Sequence, residues 1–248
     1  MRVIQITDTH LFSDKSAELQ GFNTHDGLSK TIDHLLKQGV HRSDIVLLTG
    51  DISQDESSES YHLALVQLMR IKLPIYWIHG NHDQKTNLTL EFSKSAITHN
   101  LYKLSTTYWD FISINTVRYG TDSGHIEEAE ILRVLQAIAV SKKDGKNIAM
   151  VMHHHPVKVG TPLVDNCMLQ ENHLLLEILN KNKEIKLVIC GHAHGDYQVK
   201  HNEYMIEVCP ATCFQWKKGT SSLEKEDKRG FKIFNMYSSD YSSFTFFA

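Results

Sequence analysis

The stretch Ile75-Tyr76-Trp77-Ile78-His79-Gly80-Asn81-His82-Asp83 joins an apolar run to a cluster of polar side chains that bind metals well. Residues 75–79 predict a buried strand. Asn-His-Asp directly after such a strand has no packing rationale, and the glycine between lets the backbone turn tightly. The same junction recurs along the chain. A strand over 3–7 runs into Asp8-Thr9-His10, and one over 45–49 into Gly50-Asp51. A strand over 148–152 runs into His153-His154-His155-Pro156, and one over 187–190 into Gly191-His192-Ala193-His194. A sixth strand is predicted over 111–115.

Between these runs lie segments with helical periodicity. Residues 24–38 place Leu28, Ile32, Leu35 and Leu36 on one stripe, with Gly39 as the stop. Residues 57–70 repeat the pattern with Tyr61, Leu65 and Leu68, residues 127–140 with Ile131, Leu132, Leu135 and Ile138, and residues 170–182 with Leu174, Leu175 and Ile178. Alternating strands and helices of this kind predict an α/β sheet with helices on its outer faces. Such sheets hold ligands beyond the carboxyl ends of their strands, so five parallel strands would bring all five polar clusters to one sheet edge. After residue 197 the pattern changes to short strands over 198–201, 205–208, 231–237 and 241–247, which predict a second, more antiparallel sheet. The mixed-charge segment 217–230 reads as a solvated loop, and Lys142, Lys143 and Lys146 around Gly145 as a polar turn.

Composition narrows the function classes. The 248 residues carry 26 Lys and Arg against 29 Asp and Glu, a net charge of −3, which argues against a nucleic-acid binder acting by bulk phosphate attraction. With 41% hydrophobic and 22% charged residues the chain can bury a core, so general disorder is excluded. No stretch approaches the ~20 apolar residues of a membrane helix. Residues 1–8 turn polar too soon for a secretory segment. A cytoplasmic location is therefore expected, with Cys167, Cys190, Cys209 and Cys213 as reduced thiols.

The chemistry of the clusters is coherent. Asp, Asn and His are the oxygen and nitrogen ligands of Mn, Fe and Zn, and no cysteine is in the set. Asp8, His10, Asp51, Asn81, His153, His192 and His194 are too many for one tetrahedral ion and suit two ions sharing a carboxylate. In extended backbone Asp8 and His10, or His192 and His194, would point to the same side. Any one of these histidines alone reads better as a satisfied core residue. Five clusters, each after a strand, outweigh that reading. No protein nucleophile is visible, neither a G-x-S-x-G elbow nor a G-x-x-x-x-G-K-[ST] loop.

In the order D-x-H, G-D, G-N-H-D, H and G-H-x-H, residues 3–197 resemble the calcineurin-like metallophosphoesterases. The flanking runs Gln5-Ile6-Thr7-Asp8-Thr9-His10-Leu11-Phe12, Gly50-Asp51-Ile52-Ser53-Gln54-Asp55, His153 to Pro156 and Pro210-Ala211-Thr212-Cys213-Phe214-Gln215 resemble the bacterial class III 3′,5′-cyclic AMP phosphodiesterases within that family. The resemblance implies a four-layer α/β/β/α sandwich of two mixed sheets flanked by helices. It implies one domain over 1–248, with catalytic motifs over 8–194 and a β-rich part over 198–248. One metal would take Asp8, His10, Asp51 and His194, and the other Asp51, Asn81, His153 and His192, with Asp51 bridging. The ions expected are Fe and/or Mn, with Zn or Co as substitutes. His82 would act as the catalytic group on the leaving oxygen, oriented by Asp83, and His10, Asp51, Asn81, His82 and His194 would contact substrate. Where the family has one histidine this chain has three. His153, first after the strand, is assigned, with His154 as the fallback and His155 outside the ligand set. The family often has residues ahead of the first strand, whereas here that strand opens the sequence. The segment Arg229-Gly230-Phe231-Lys232 follows the family only loosely.

The implied activity is hydrolysis of cyclic AMP to 5′-AMP, lowering intracellular cyclic AMP, with a small-molecule nucleotide as the partner and neither nucleic acid nor membrane. A broader phosphodiesterase or phosphatase shares every ligand and stays open. A non-enzymatic scaffold of the same fold is opposed by the intact His82 and all seven ligand candidates. Trp77, Trp109 and Phe214 are as readily core residues as a nucleobase platform and are left unassigned.

Overall fold

Runs of Ile, Val and Leu make the central strands, which are buried on both faces as parallel strands under helices must be. The structure, a computed structural model, describes residues 1–248. Its first half comprises β1 (Arg2–Ile6), a short hairpin of β2 (Glu18–Leu19) and β3 (Phe22–Asn23), α1 (Thr24–Gln38), β4 (Ile45–Thr49), α2 (Ser58–Leu68), β5 (Ile75–Ile78), α3 (Lys85–Phe92), β6 (Thr98–Asn100), β7 (Lys103–Ser105) and β8 (Trp109–Ser113). There follow α4 (Glu128–Lys143), β9 (Asn147–Val151), the single turn α5 (Pro162–Asp165), α6 (His173–Lys181), β10 (Ile185–Cys190), β11 (Tyr197–His201) and β12 (Tyr204–Val208). A ribbon of β13 (Gln215–Trp216) and β14 (Lys225–Glu226) precedes the closing hairpin, β15 (Gly230–Met236) and β16 (Tyr241–Phe247). The helix stop read at Gly39 holds, with that residue at φ +78°.

Two six-stranded sheets result, in the orders β16-β15-β1-β4-β5-β6 and β11-β12-β10-β9-β8-β7. In the first, β1, β4, β5 and β6 run parallel. In the second, β8, β9, β10 and β12 do. Antiparallel strands complete the edges. Helices α1 to α3 cover the outer face of the first sheet, where Leu28, Leu65 and Phe92 pack on Ile4, Val46 and Trp77. On the second sheet α4 and α6 set Val134 and Leu175 against Ile148 and Val188. Between the sheets lies a third apolar cluster that includes Val3, Leu47, Phe111, Val151, Ile189 and Phe234. The layering is therefore α/β/β/α. Trp77 and Trp109 both belong to the packed interior.

The expected separate antiparallel sheet after residue 197 does not form. The hairpin β11–β12 extends the second sheet beside β10, and β15–β16 extends the first beside β1. Short alternating strands report antiparallel pairing but not which open edge they cover. These two hairpins are then joined across the sandwich. Strand alternation turns Lys232 of β15 inward, fully buried, where its Nζ lies 2.6 Å from Glu207 Oε2 of β12 and 2.8 Å from Asp196 Oδ1 just ahead of β11. Glu207 also accepts hydrogen bonds from Ser243 Oγ (2.8 Å) and the Tyr241 hydroxyl (3.2 Å). On β1, the buried Gln5 Nε2 donates to the Cys190 carbonyl (2.8 Å) of the opposite sheet. All four cysteines are free.

Candidate metal centre

Three polar clusters follow β1, β4 and β5 of the first sheet, and two follow β9 and β10 of the second. They meet across the sandwich, at the facing carboxyl ends of two sheets rather than along one sheet edge. Gln5 ties β1 to the end of β10 directly beneath them. The backbone there is not extended. Asp8, His10, Asp51, His192 and His194 all have φ between +41° and +68°. The i, i+2 alternation expected of Asp8 with His10, and of His192 with His194, is thus a repeat of left-handed residues, a conformation costing ~1–3 kcal/mol each and typical of functional loops. Gly50 (φ +95°) packs so closely that a Cβ there would lie 2.5 Å from His153 Nδ1 and 2.7 Å from the Gly80 nitrogen. No larger residue fits between these two clusters.

Asp51 sits at the joint of the constellation. Its Oδ2 lies 3.2 Å from His153 Nε2 and 3.6 Å from His10 Nε2. Its Oδ1 accepts the His82 backbone N–H at 2.9 Å. On one side, His10 Nε2 and His194 Nε2 stand 3.0 Å apart, with Asp8 Oδ1 3.7 Å from the latter. On the other, His153 Nε2 is 3.1 Å from Asn81 Oδ1, and the His192 ring centroid is 5.1 Å from that of His153. His153 Nδ1–H donates to the Thr49 carbonyl at 2.8 Å, which turns Nε2 inward toward the other donors. Asp8 is held in place by the His192 backbone N–H, 3.1 Å from both carboxylate oxygens.

The donor set fits metal ions. Asp8, His10, Asp51, His153 and His194 are at most 5% exposed, and neither carboxylate pairs with a lysine or arginine. Two buried carboxylates with no lysine or arginine beside them call for positive charge at the centre, from a protonated imidazole or a bound cation. Burial, together with the Asp51 charge, pushes the Asp8 carboxyl up. Burial also opposes ionisation of Asp51, but His153 and His10 hold it well below the usual carboxylate range. His153 is raised to about 9 because Asp51 and Asp8 outweigh its burial. Burial lowers His10 to about 4 and holds His192 and His194 well below the ordinary histidine value, so these rings are neutral with lone pairs free to ligate. Close donor groups include Asp8–Asp51–His153, His10–Asp51–His82 and His153–His154–His192.

The remaining candidates divide. His154 turns Nδ1 to Thr116 Oγ1 (2.8 Å), and His155 directs Nε2 toward Asp165 Oδ1 (3.6 Å), while the His153 Nε2 faces Asp51 and Asn81. His82 stands beside His10, ring centroids 5.1 Å apart. Asp83 does not meet the His82 ring. Its carboxylate turns back into the loop base, accepting the N–H groups of Gly80 (2.9 Å), Ile52 and Ser53 (3.0 Å each). The residue that does touch the His82 ring, Gln54, carries no signal of its own in the sequence. A cleft of about 320 Å³ opens over the centre, walled on its apolar side by Leu19, Leu163, Phe214 and Trp216. Phe214, left unassigned from sequence, packs on His194 with centroids 5.0 Å apart. The β2–β3 hairpin that brings Leu19 to the rim is too short to leave a periodic pattern.

The profile of the calcineurin-like phosphoesterase family matches residues 1–196. A probable cyclic nucleotide phosphodiesterase of Xenorhabdus bovienii (strain SS-2004) is 31% identical over 245 residues, 98% of each chain. The 3′,5′-cyclic adenosine monophosphate phosphodiesterase CpdA of Haemophilus influenzae is 29% identical over 218 residues, 88% of this chain and 78% of its own. Among solved structures, a dimetal phosphatase from Danio rerio has the same fold, with a TM-score of 0.71 at 11% identity, covering 95% of this chain and 92% of the other. Five motif blocks at the facing ends of two sheets, and a family profile spanning most of the length, lead to one conclusion: the chain belongs to the calcineurin-like phosphoesterase family.

Proposed function

We propose that the chain hydrolyses 3′,5′-cyclic AMP to 5′-AMP at a two-metal centre. Asp8, His10, Asp51 and His194 would hold one ion, and Asp51, Asn81, His153 and His192 the other. The observation that carries the reading is Asp51, whose carboxylate faces His10 on one side and His153 on the other. The donor set suits Fe and Mn, with Zn or Co as substitutes. The names of the Xenorhabdus and Haemophilus relatives support the cyclic nucleotide as substrate. When bound, the metal pair supplies the charge that draws in a phosphodiester monoanion and readies water for in-line attack.

The chain's own residues do the rest. Thr49 and Gly50 fix His153 against Asp51, and the His192 backbone fixes Asp8. Water adds to phosphorus and releases one proton to solvent as the P–O3′ bond breaks, while His82 gives a proton to the departing 3′ oxygen and takes one back from solvent. A role of this kind contributes ~10²- to 10⁴-fold in rate. Asp83 supports the reaction indirectly, holding the Gly80 and Ile52 amides and thereby the loops that carry Asn81, His82 and Asp51. Small-molecule chemistry of this type suits a cytoplasmic enzyme, and no helix is long and apolar enough to cross a membrane.

Product analysis with the Mn- or Fe-loaded protein tests the reading. It predicts 5′-AMP as product and a kcat/KM for cyclic AMP well above those for 2′,3′-cyclic nucleotides and bis(p-nitrophenyl) phosphate. Comparable values for all three would replace it with a broad phosphodiesterase, and 3′-AMP as product would reverse the leaving group.

A further inference from the structure

One side chain touches both halves of the proposed chemistry without belonging to either. Gln54 lies at the cleft, four residues after Gly50. His10 Nδ1–H donates to Gln54 Oε1 at 2.7 Å, and Gln54 Nε2–H donates to His82 Nδ1 at 3.3 Å. One carboxamide therefore bridges a candidate metal ligand and the candidate proton donor, whose rings stand edge to face.

We propose that Gln54 is a positioning residue that sets the tautomers of His10 and His82 together. An amide has a donor end and an acceptor end, so the two histidines must be complementary. With the oxygen toward His10, the His10 proton sits on Nδ1 and the Nε2 lone pair faces Asp51 and His194. The opposite amide orientation would put the His10 proton on Nε2, 3.0 Å from His194 Nε2 and 3.6 Å from Asp51 Oδ2, where a cation has to sit. The need for a metal-facing lone pair thus fixes the amide. The fixed amide then presents N–H to His82 Nδ1, which must accept. That puts a His82 proton on Nε2, the nitrogen free to face substrate. The metal ligand and the acid are set as one unit, so occupancy of one arranges the other.

The tautomers follow from the two hydrogen bonds together with the need for a metal-facing lone pair on His10. Their catalytic meaning rests on the function proposed above, in which His82 protonates the leaving oxygen. The test has two arms. Nitrogen-15 histidine spectra of the Zn-loaded protein are expected to show His82 as the Nε2–H tautomer and His10 protonated at Nδ1. In Gln54→Leu the His82 signal should shift to a mixture of tautomers, while Gln54→Glu, whose carboxylate accepts only, should move the proton to His82 Nδ1. In kinetics, Gln54→Leu should lower kcat for cyclic AMP, with its poor alkoxide leaving group, by about 10- to 100-fold. Compared at equal metal occupancy, kcat for bis(p-nitrophenyl) phosphate, whose leaving group needs no proton, should fall by less than kcat for cyclic AMP. An Nδ1–H tautomer of His82 in the unaltered protein, or one that Gln54→Leu and Gln54→Glu leave unchanged, overturns the proposal. So does an equal loss on both substrates. If the predicted tautomers appear and cyclic AMP is not hydrolysed, the substrate assignment fails and the tautomer assignment stands.

Discussion

Replacing Lys232 by methionine tests how the sandwich holds the loops that carry the candidate metal ligands. The ammonium is fully buried between a nearly buried Glu207 and the partly exposed Asp196, so the change leaves two carboxylates without a counter-ion. Breaking a buried pair this way typically costs 3–5 kcal/mol. Here Glu207 keeps hydrogen bonds from Tyr241, Ser243 and Gln198, and Asp196 can reach water, so the lower end, about 3 kcal/mol, applies. For a domain of this length that lowers Tm by roughly 6–12 °C. Burial works to lower the Lys232 pKa, but Glu207 and Asp196 outweigh it and raise it. The pair's stabilisation is therefore fully present below the ordinary lysine pKa and is lost only as pH rises through the raised folded value. Calorimetry at pH 6 to 9 should show a constant deficit, and the double change Lys232→Met with Glu207→Met should recover part of it. Asp196 lies two residues beyond His194, so the single variant should also bind metal more weakly. A Tm loss under about 2 °C, or a double variant as unstable as the sum of the singles, would refute the coupling assigned to this pair.

Asp51→Asn should weaken both metals together, since in the proposed arrangement its carboxylate, which faces His10 and His153, serves both groups; elemental analysis showing loss of one ion alone would place the bridge elsewhere. His82→Ala should retain both metals and lose about 10²- to 10⁴-fold in turnover of cyclic AMP, and a collapse in metal content would mark His82 as a ligand instead. Asp110 opposes a burial penalty with hydrogen bonds from Lys103, Ser105 and Ser141, which lower its pKa. Its stabilisation is present above the ordinary aspartate pKa and is lost as pH falls through the depressed folded value. Asp110→Asn should accordingly be destabilising at neutral pH by denaturant titration, with the gap to the parent closing in acid.

The five strand-to-cluster junctions were legible because each sets an apolar β-branched run against polar residues that a core would not tolerate. The α/β class and the helices over 24–38 and 127–140 were legible for the same reason, an uninterrupted period. Which strands share a sheet was not. Nothing in residues 148–152 or 187–190 distinguishes a neighbour of β1 from a strand of a facing sheet, because both are buried on two sides. Helix α3 escaped notice because its apolar residues are few, Leu88, Leu90 and Phe92, and two of its positions are threonines. The left-handed backbone at Asp8, His10, Asp51, His192 and His194 falls on aspartates and histidines, which tolerate it better than most residues, but their types equally suit metal ligands in extended backbone and so did not reveal it. Asp83 and Gln54 show the same limit at the site. Adjacency to His82 suggested Asp83 as its partner, yet the Asp83 carboxylate satisfies three backbone amides, and the partner comes from a loop 28 residues earlier.

The central claim is a pair of metal positions joined through Asp51. Anomalous diffraction from crystals of the Mn-loaded protein measures it directly. Two peaks should appear, one enclosed by Asp8, His10, Asp51 and His194 and one by Asp51, Asn81, His153 and His192. A single peak, or a second one held by His154 and His155 with no contact to Asp51, would contradict it.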